Sequence, residues 1–112
     1  DNLVGGGGDD TLNFHGDGQG NGGEGGDFYY IGSLYSIAIS EADDAATDVL
    51  HFASFWNTSD IRVAWDGVDL LIGSVTDANF NSAVRLVDYR DSPYIETFQF
   101  ADGTTFDPLG LL

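Results

Sequence analysis

The sequence contains no cysteine, no methionine and no lysine. Without cysteine the chain can form neither disulfides nor thiolate metal sites, and it has no cysteine nucleophile. A small extracellular domain without disulfides needs another stabilising element, and bound metal ions are the usual alternative. The absence of lysine also excludes a P-loop, because that glycine-rich phosphate site requires one.

Positive charge is scarce as well. Only Arg62, Arg85 and Arg90 oppose 19 acidic side chains, which gives a formal net charge of -16. A chain of this charge cannot neutralise phosphates, so we expect no nucleic-acid partner and no binding to an anionic membrane surface. The carboxylates also repel one another and oppose folding unless cations neutralise them.

Long hydrophobic runs are missing, so we expect no segment to insert into a membrane. The chain opens at Asp1 without a signal-peptide pattern, and we interpret it as a piece of a larger protein. Its 112 residues are 42 % hydrophobic and 13 % aromatic. This composition is typical of one folded domain and not of a disordered acidic tail.

Glycine is distributed unevenly along the chain. Residues 5–32 hold 12 of the 16 glycines, and aromatic and β-branched residues dominate after Gly32. We therefore predict a repeat array over residues 1–32 and a β-rich cap over residues 33–112. The two parts are expected to fold as one cooperative unit.

Two segments of the repeat array fit the nonapeptide G-G-x-G-x-D-x-U-x, in which U is apolar. They are residues 5–13 and 22–30, with Leu12 and Tyr29 in the apolar position. Residues 1–4 fit the end of an earlier copy, which predicts further repeats upstream. The degenerate stretch between the two copies is one residue short, so its turn must absorb the deletion or the stacking is imperfect.

The two copies resemble the repeats of the RTX family, haemolysin-type bacterial proteins exported by type I secretion. Residues 69–72, 84–89 and 95–104 are similar to the region that follows such repeats. The resemblance implies an all-β chain with a short parallel β-roll, capped by a C-terminal antiparallel sheet or hairpin region. It also implies a toxin-like, secreted, extracellular protein.

The resemblance further implies a Ca²⁺ site between two glycine turns on one edge of the roll. The implied ligands are five backbone carbonyls and one carboxylate: those of Gly5, Gly7, Asp9, Gly23 and Gly25, with the side chain of Asp27. Such an all-oxygen shell suits Ca²⁺. Asp10 either joins this site or serves a turn further upstream. Asp1 and Asp17 are candidates for a second, weaker site on the other edge.

Glycine-rich segments are more often flexible linkers, which is the alternative to a calcium site. A linker does not need an aspartate at the sixth position and an apolar residue at the eighth. Both copies have them. We therefore favour calcium binding.

The cap is predicted from turn signals. Asp66-Gly67 lies between two apolar runs and predicts a type I′ hairpin, and Asp102-Gly103 predicts another hairpin. Further strands are predicted at 35–40, 48–52, 84–89 and 94–100, and single helical turns at 41–47 and 76–83.

The remaining polar candidates form no recognisable catalytic set. His15 and His51 lack the surroundings of a Ser-His-Asp triad or a zinc site, so we interpret them as structural or surface residues. We predict that Asp43, Asp44 and Asp48 are solvated, with extra calcium ligation as the alternative.

The large aromatic side chains are interpreted as core residues and not as a sugar-binding platform. They are Trp56, Trp65, Tyr89 and Tyr94. With no nucleophile and base in the sequence pattern, we expect no catalytic residues, no organic cofactor and no enzymatic activity.

The sequence therefore predicts a calcium-triggered folding module of a type I-secreted protein. Its expected partners are calcium ions and the upstream repeats or domains of the parent protein, and we expect a monomer. One alternative is a calcium-stabilised adhesion module that binds a glycan or a protein. Another is a non-catalytic appendage of a secreted hydrolase.

Overall fold

The computed structural model describes residues 2–14, 16–32, 35–40, 47–91 and 93–112. Within these ranges the regular secondary structure consists of short strands and two 3₁₀ turns, Thr58–Asp60 and Pro108–Leu111. In chain order the strands are β1 (Asn2–Val4), β2 (Thr11–Phe14), β3 (Gly18–Asn21), β4 (Phe28–Ile31), β5 (Ile37–Ile39), β6 (Val49–Phe52), β7 (Ile61–Asp66), β8 (Asp69–Ser74), β9 (Ala83–Leu86), β10 (Thr97–Gln99) and β11 (Thr105–Phe106). The prediction of an all-β chain is confirmed. No helix in the described ranges is long and apolar enough to cross a membrane.

The strands form two mixed sheets. The first sheet has the order β1-β3-β5-β9-β8-β7 and the second has the order β11-β10-β6-β4-β2. From β1 to β6, successive strands alternate between the sheets, and neighbours within each sheet run parallel. Antiparallel pairing begins with β7 and β8 and recurs in the β8–β9 and β10–β11 pairs. Residues 1–32 and 33–112 therefore contribute strands to both sheets.

The core lies between the two sheets, because apolar side chains alternate with polar ones along the strands. In β2, Leu12 and Phe14 are buried while Thr11 and Asn13 are exposed. The largest fully buried apolar side chains are Tyr29, Tyr94, Phe52, Ile31, Ile37, Ile39, Leu50, Leu70, Ile72, Leu86 and Val84. Leu12 and Tyr29, which the repeat pattern places in the apolar position, both point into this core.

The short middle repeat keeps its neighbours in register. Only residues 15–17 connect β2 to β3, whereas six residues form each of the glycine turns 5–10 and 22–27. Even so, β2 and β4 pair along their whole length, starting at Thr11↔Phe28. The deletion is absorbed in the turn of the middle repeat, which is the first of the two alternatives that the sequence left open.

The middle repeat also lacks an apolar side chain in its inward position. Gly20 is buried there, and a Cβ atom on it would lie 2.5 Å from Cζ of Phe14. The ring of Phe14 thus fills the space that Leu12 and Tyr29 occupy in the full copies. Glycine within a strand often marks such a close approach.

The hairpin predicted at Asp66-Gly67 is confirmed, but its turn is shifted by one residue. β7 and β8 pair as far as Asp66↔Asp69, so Gly67 and Val68 form the loop. Gly67 has a φ of 65°, and Val68 is not in the left-handed region. This arrangement fits a type II′ turn and not the predicted type I′ turn.

The shifted turn places two aspartates directly opposite each other, which is unfavourable on its own. Arg85 of β9 compensates for this repulsion. Its Nη2 lies 2.8 Å from Asp66 Oδ2, and its Nη1 lies 2.7 Å from Asp69 Oδ2. The backbone N–H of Asp88 also donates to Asp69 Oδ1 over 2.8 Å. One arginine therefore fixes the register of a hairpin that lies next to its own strand.

The hairpin predicted at Asp102-Gly103 is also confirmed, with β10 and β11 pairing at Phe98↔Phe106. The helical turn predicted at 76–83 is wrong: this loop consists of turns and bends, with the N–H of Ser82 donating to Asp77 Oδ2 over 2.9 Å. Nearly all of the other predicted turn, 41–47, lies outside the described residues.

The aromatic predictions hold for three residues of four. Tyr89 and Tyr94 are buried and meet edge to face, with ring centroids 5.4 Å apart. Trp65 packs partly buried against the core, and the Arg90 guanidinium lies 4.5 Å from its ring. Trp56 is 62 % exposed, so its assignment to the core is wrong.

Asp69 is expected to make stability depend on pH. The backbone N–H of Asp88, and then the Arg85 guanidinium, hold the pKa of Asp69 below its ordinary value despite partial burial. Because the folded pKa is depressed, the stabilisation is complete above the unfolded value of about 4 and is lost as the pH falls through the folded value. Asp69→Asn should lower the free energy of unfolding near neutral pH and converge with the parent chain in acid.

Urea unfolding in excess CaCl₂ across this pH range measures the effect. Asp91→Asn, at an exposed position, is the matched control and should follow the parent chain throughout. If the free energies of unfolding of Asp69→Asn and the parent chain differ by the same amount at every pH, Asp69 is not the source of the pH dependence.

Candidate metal site

The two glycine turns of the full repeats lie on the same edge of the molecule and stack on each other. Turn 5–10 leads from β1 to β2, and turn 22–27 leads from β3 to β4. The backbone N–H of Phe28 donates to the carbonyl of Asp10 over 2.8 Å, which places the ends of the two turns side by side. The N–H of Gly26 donates to Asp9 Oδ1 over 2.9 Å and ties the turns together again.

Close stacking requires glycine in the second turn. Gly23 and Gly25 have φ angles of 77° and 102°, which other residues rarely adopt. A Cβ atom on Gly23 would collide with the carbonyl oxygen of Gly6, and one on Gly25 with that of Gly8. The backbones of the turns therefore approach each other without intervening side chains.

A column of four carboxylates runs along this edge. Asp10, Asp27, Asp48 and Glu96 immediately precede β2, β4, β6 and β10, the parallel strands of the second sheet. Each of the last three accepts a hydrogen bond from the backbone N–H of the acid before it. The distances are 3.1 Å from Asp10 N to Asp27 Oδ1, 2.8 Å from Asp27 N to Asp48 Oδ1 and 2.7 Å from Asp48 N to Glu96 Oε1.

The two middle carboxylates of this column, Asp27 and Asp48, are withdrawn from water, whereas Glu96 at its end is exposed. Asp27 and Asp48 are each 1 % exposed, so the prediction that Asp48 is solvated is wrong. Its hydrogen bond with the N–H of Asp27 draws the side chain inward. Asp43 and Asp44 lie outside the described residues. Oδ2 of Asp10 and Oδ2 of Asp48 are buried and have no hydrogen-bond partner among the residues that the structure describes.

An ionised oxygen buried in this way is costly unless a cation or a proton compensates it. The surrounding oxygen atoms belong to carboxylates and carbonyls, which are the ligands that a hard cation prefers. No three acidic or histidine side chains converge on one point within the described ranges. A metal held here would therefore take most of its ligands from the backbone, as the glycine-rich sequence allows.

The structure brings all seven predicted site residues into the two stacked turns. Four of them belong to the first turn and three to the second: Gly5, Gly7, Asp9 and Asp10, then Gly23, Gly25 and Asp27. The carbonyl oxygens that lie between the turns are those of Gly6, Gly8 and Gly22, which the predicted set omits. Gly22 O would be 2.8 Å from a Cβ atom on Gly5.

Sequence reasoning also missed Asp48 and Glu96 as members of the column. A signal for both was present, since each acid lies two residues before a buried apolar side chain, as in D-x-U. The apolar residues are Leu50 and Phe98. The segments that precede β6 and β10 contain no glycine, so the full nonapeptide pattern does not find Asp48 and Glu96.

The opposite edge of the stack contains Asp17, one of the two residues predicted for the second site. Oδ1 of Asp17 accepts a hydrogen bond from the N–H of Ser36 over 2.9 Å. Asp1, the predicted companion of Asp17, lies outside the described residues. The second, weaker site therefore stays a prediction.

His51 lies on the outer face of the second sheet, away from these turns. Its ring stacks with Phe28 and Tyr30 at centroid distances of 5.6 and 5.5 Å, and Nδ1 is 3.0 Å from Gln99 Oε1. These contacts fit the interpretation of His51 as a structural residue. His15 lies outside the described residues.

Comparison with known proteins adds no relative: no family model matches this chain, and no curated protein matches it. The resemblance to RTX repeats therefore rests on the residues of the two nonapeptides and on the segments that follow them.

The stacking of the turns predicts unequal effects of two similar substitutions. Gly23→Ala and Gly6→Ala both place an L-residue at a φ near 80°, with angles of 77° and 82°. At Gly6 a Cβ atom has open space, whereas at Gly23 it meets the Gly6 backbone. Gly6→Ala should cost about 1 kcal/mol from backbone strain, and Gly23→Ala clearly more.

Urea unfolding in excess CaCl₂ measures both changes. Circular dichroism of the folded variants shows whether the strands remain. Equal losses for the two variants would mean that the turns do not stack as closely as described.

Glu96 is expected to stabilise the cap through its hydrogen bond with the Asp48 backbone. Glu96→Ala removes the acceptor of this partly buried N–H and should lower the free energy of unfolding by about 1 kcal/mol. Glu96→Gln retains a carbonyl oxygen at the same reach and should stay close to the parent chain. Thermal and urea unfolding in excess CaCl₂ compare the two, and equal destabilisation by both would contradict the assignment.

Proposed function

We propose that this chain is a calcium-binding RTX module of a type I-secreted bacterial protein, which folds when it meets calcium outside the cell. The observation that carries the proposal is the pair of stacked glycine turns. Their backbones approach closely, the Asp27 carboxylate is buried at their ends, and carbonyl oxygens lie between them. Uncompensated, this arrangement concentrates negative charge and oxygen dipoles in one place.

The ion would lie between turns 5–10 and 22–27. Its ligands would come from the predicted residues other than Asp10, with the carbonyl oxygens of Gly6, Gly8 and Gly22 as additional ligands. Bound Ca²⁺ supplies the positive charge that the chain lacks and holds the turns together. The protein's own residues set the distance between the two turns, because the hydrogen bonds along the column of acids hold each turn against the next.

Asp10 is better suited to a coil upstream than to this site. Each later carboxylate of the column points to the acid one coil closer to the N-terminus. By the same geometry the Asp10 carboxylate is directed to the end of the stack, where it lines a cleft of about 380 Å³ beside β1 and β2. A further coil with the same repeat fits this end and supports upstream repeats as partners.

The alternating parallel strands support the β-roll interpretation, and the antiparallel hairpins support that of a cap. The charge supports export before folding. Without calcium, repulsion within a chain of net charge -16 favours the unfolded state. Extracellular calcium is abundant enough for sites with dissociation constants of roughly 10⁻⁴ to 10⁻³ M.

The proposal makes the module a stabilising part of its parent protein and not an enzyme. A calcium-stabilised adhesion module and an appendage of a secreted hydrolase share the same metal site. They differ in what else the surface binds.

A calcium titration tests the proposal. The chain stripped with EDTA should lose most of its β-sheet circular dichroism or melt at a much lower temperature, and CaCl₂ should restore it. At about one hundred times the dissociation constant, each independent site adds about 2.7 kcal/mol to the free energy of unfolding. MgCl₂ at the same concentration should restore much less, because Mg²⁺ retains its waters and requires a stricter geometry.

Variants assign the effect to the turns. Asp27→Asn should weaken calcium binding about tenfold or more in calorimetry. Asp91→Asn removes the same charge from an exposed position outside the turns and should leave the affinity unchanged. An identical melting temperature in EDTA and in CaCl₂ would refute the proposal.

A further inference from the structure

A groove on the outer face of the first sheet is unrelated to the glycine turns. It has a volume of about 520 Å³, within the roughly 300–1,000 Å³ typical of small-molecule sites. Its floor follows one row of paired residues across four strands: Gln19, Ala38, Arg85 and Leu71. Ala38 is the smallest of them and lies between two long polar side chains, so the row has a depression at its centre.

The loop between β8 and β9 forms one wall of the groove. Phe80 on this loop has a φ of 53°, a strained value for an aromatic residue. Its ring fits against Gly73, where a Cβ atom would lie 3.2 Å from Phe80 Cδ1. The Arg62 guanidinium lies 5.6 Å from the ring centroid. Both contacts hold Phe80 beside the groove, and strained residues held in this way cluster at binding sites.

The loop is also fastened to the sheet. The hydroxyl of Ser36 donates to the carbonyl of Asn81 over 2.8 Å. Within the loop, Asp77 accepts the N–H of Ser82, and this bond and others to the loop backbone lower the pKa of Asp77. The wall is therefore built before any ligand arrives, which reduces the ordering cost of binding.

The charge of the groove disfavours anions. Its one guanidinium, on Arg85, is held between Asp66 and Asp69 at 2.8 and 2.7 Å. Asp66 is 58 % exposed at the rim and would repel a phosphate or carboxylate. The negative charge of the whole chain adds to that repulsion.

The polar groups of the groove offer both hydrogen-bond donors and acceptors beside apolar surface. Gln19 and Asn79 contribute carboxamides, and Asp66 contributes carboxylate oxygens. Phe80, Ala38 and Leu71 provide the apolar surface. A ligand that matches this pattern is neutral, carries hydroxyls around its rim and has an apolar face of C–H groups. A pyranose sugar has these properties.

We propose that this groove binds a neutral hexose unit of a glycan, with Phe80 and Ala38 against its C–H face and Gln19, Asn79 and Asp66 on its hydroxyls. The groove uses none of the residues assigned to the calcium site, and glycan binding there would distinguish an adhesion role from a purely structural one. Binding of a single unit is expected to be weak, in the millimolar range, because the groove is shallow and contacts few atoms.

The test is an NMR titration of the full chain labelled with ¹⁵N and folded in CaCl₂. The probes are the methyl glycosides of glucose, galactose and mannose, with sodium phosphate and choline chloride as charged comparisons. At least one glycoside should shift the Gln19 and Asn79 side-chain amides and the Ala38 backbone amide. The dissociation constant comes from these shifts at up to roughly 50 mM glycoside.

Substitutions locate the site. Ala38→Leu fills the floor and should raise the dissociation constant at least about tenfold. Gln19→Ala and Asn79→Ala should each weaken binding severalfold and decide the outcome if Ala38→Leu fails to fold by circular dichroism. Gln99→Ala, on the outer face of the second sheet, is the control and should bind like the parent chain.

Three results would overturn the proposal. The first is that no glycoside shifts the amide signals. The second is that Ala38→Leu, Gln19→Ala and Asn79→Ala bind the glycoside as tightly as the parent chain does. The third is that phosphate or choline binds more strongly than every glycoside. Because the titration is made on a sample shown to be folded, failure here leaves the calcium proposal unaffected. Failure of the calcium proposal likewise leaves this test valid.

Discussion

The hydrogen bond between an acidic side chain and the backbone of the preceding coil is the interaction on which this structure depends. It occurs at Asp27, Asp48 and Glu96, always at the residue before a parallel strand. Each bond joins the residues just before two neighbouring parallel strands and so fixes where one strand begins relative to the next. The strands then pair in register although the connections between them differ in length.

The same interaction creates the electrostatic problem of the molecule. Ordering the acids in a column buries carboxylate oxygens such as Asp48 Oδ2 without a hydrogen-bond partner in the described part of the chain. The three arginines make other contacts: Arg85 neutralises a hairpin, and Arg62 and Arg90 cover aromatic rings. The repeat half contains no arginine or lysine of its own.

Local patterns predicted much of this architecture because their causes are local. The nonapeptides specify turn, strand and inward side chain within nine residues, and the structure stacks both copies as expected. The Asp-Gly pairs located both hairpins. The one-residue shift of the first turn was not predictable in this way, because its cause, Arg85, is 16 residues from Asp69 along the chain. Only the completed sheet brings them together.

The placement of the candidate site's residues was predictable to the same extent. All seven predicted residues are in the stacked turns, but Asp48 was misassigned because its coil no longer contains the glycines of the motif. Its burial follows from a bond to the Asp27 backbone, 21 residues away. The groove was invisible to pattern analysis for a related reason. It arises from the pairing of Gln19, Ala38 and Arg85 on three strands that are distant in sequence.

The division between parallel coils and antiparallel hairpins has a kinetic consequence. The β7–β8 hairpin closes through a two-residue loop, whereas each parallel pair requires a full circuit of the chain. Short loops close quickly and distant pairings slowly, so nucleation is expected in the β7–β8 hairpin. β9 could then add to the hairpin edge, and the coils would be laid down toward the N-terminus. The antiparallel hairpin would in that case act as the template to which the parallel strands are added.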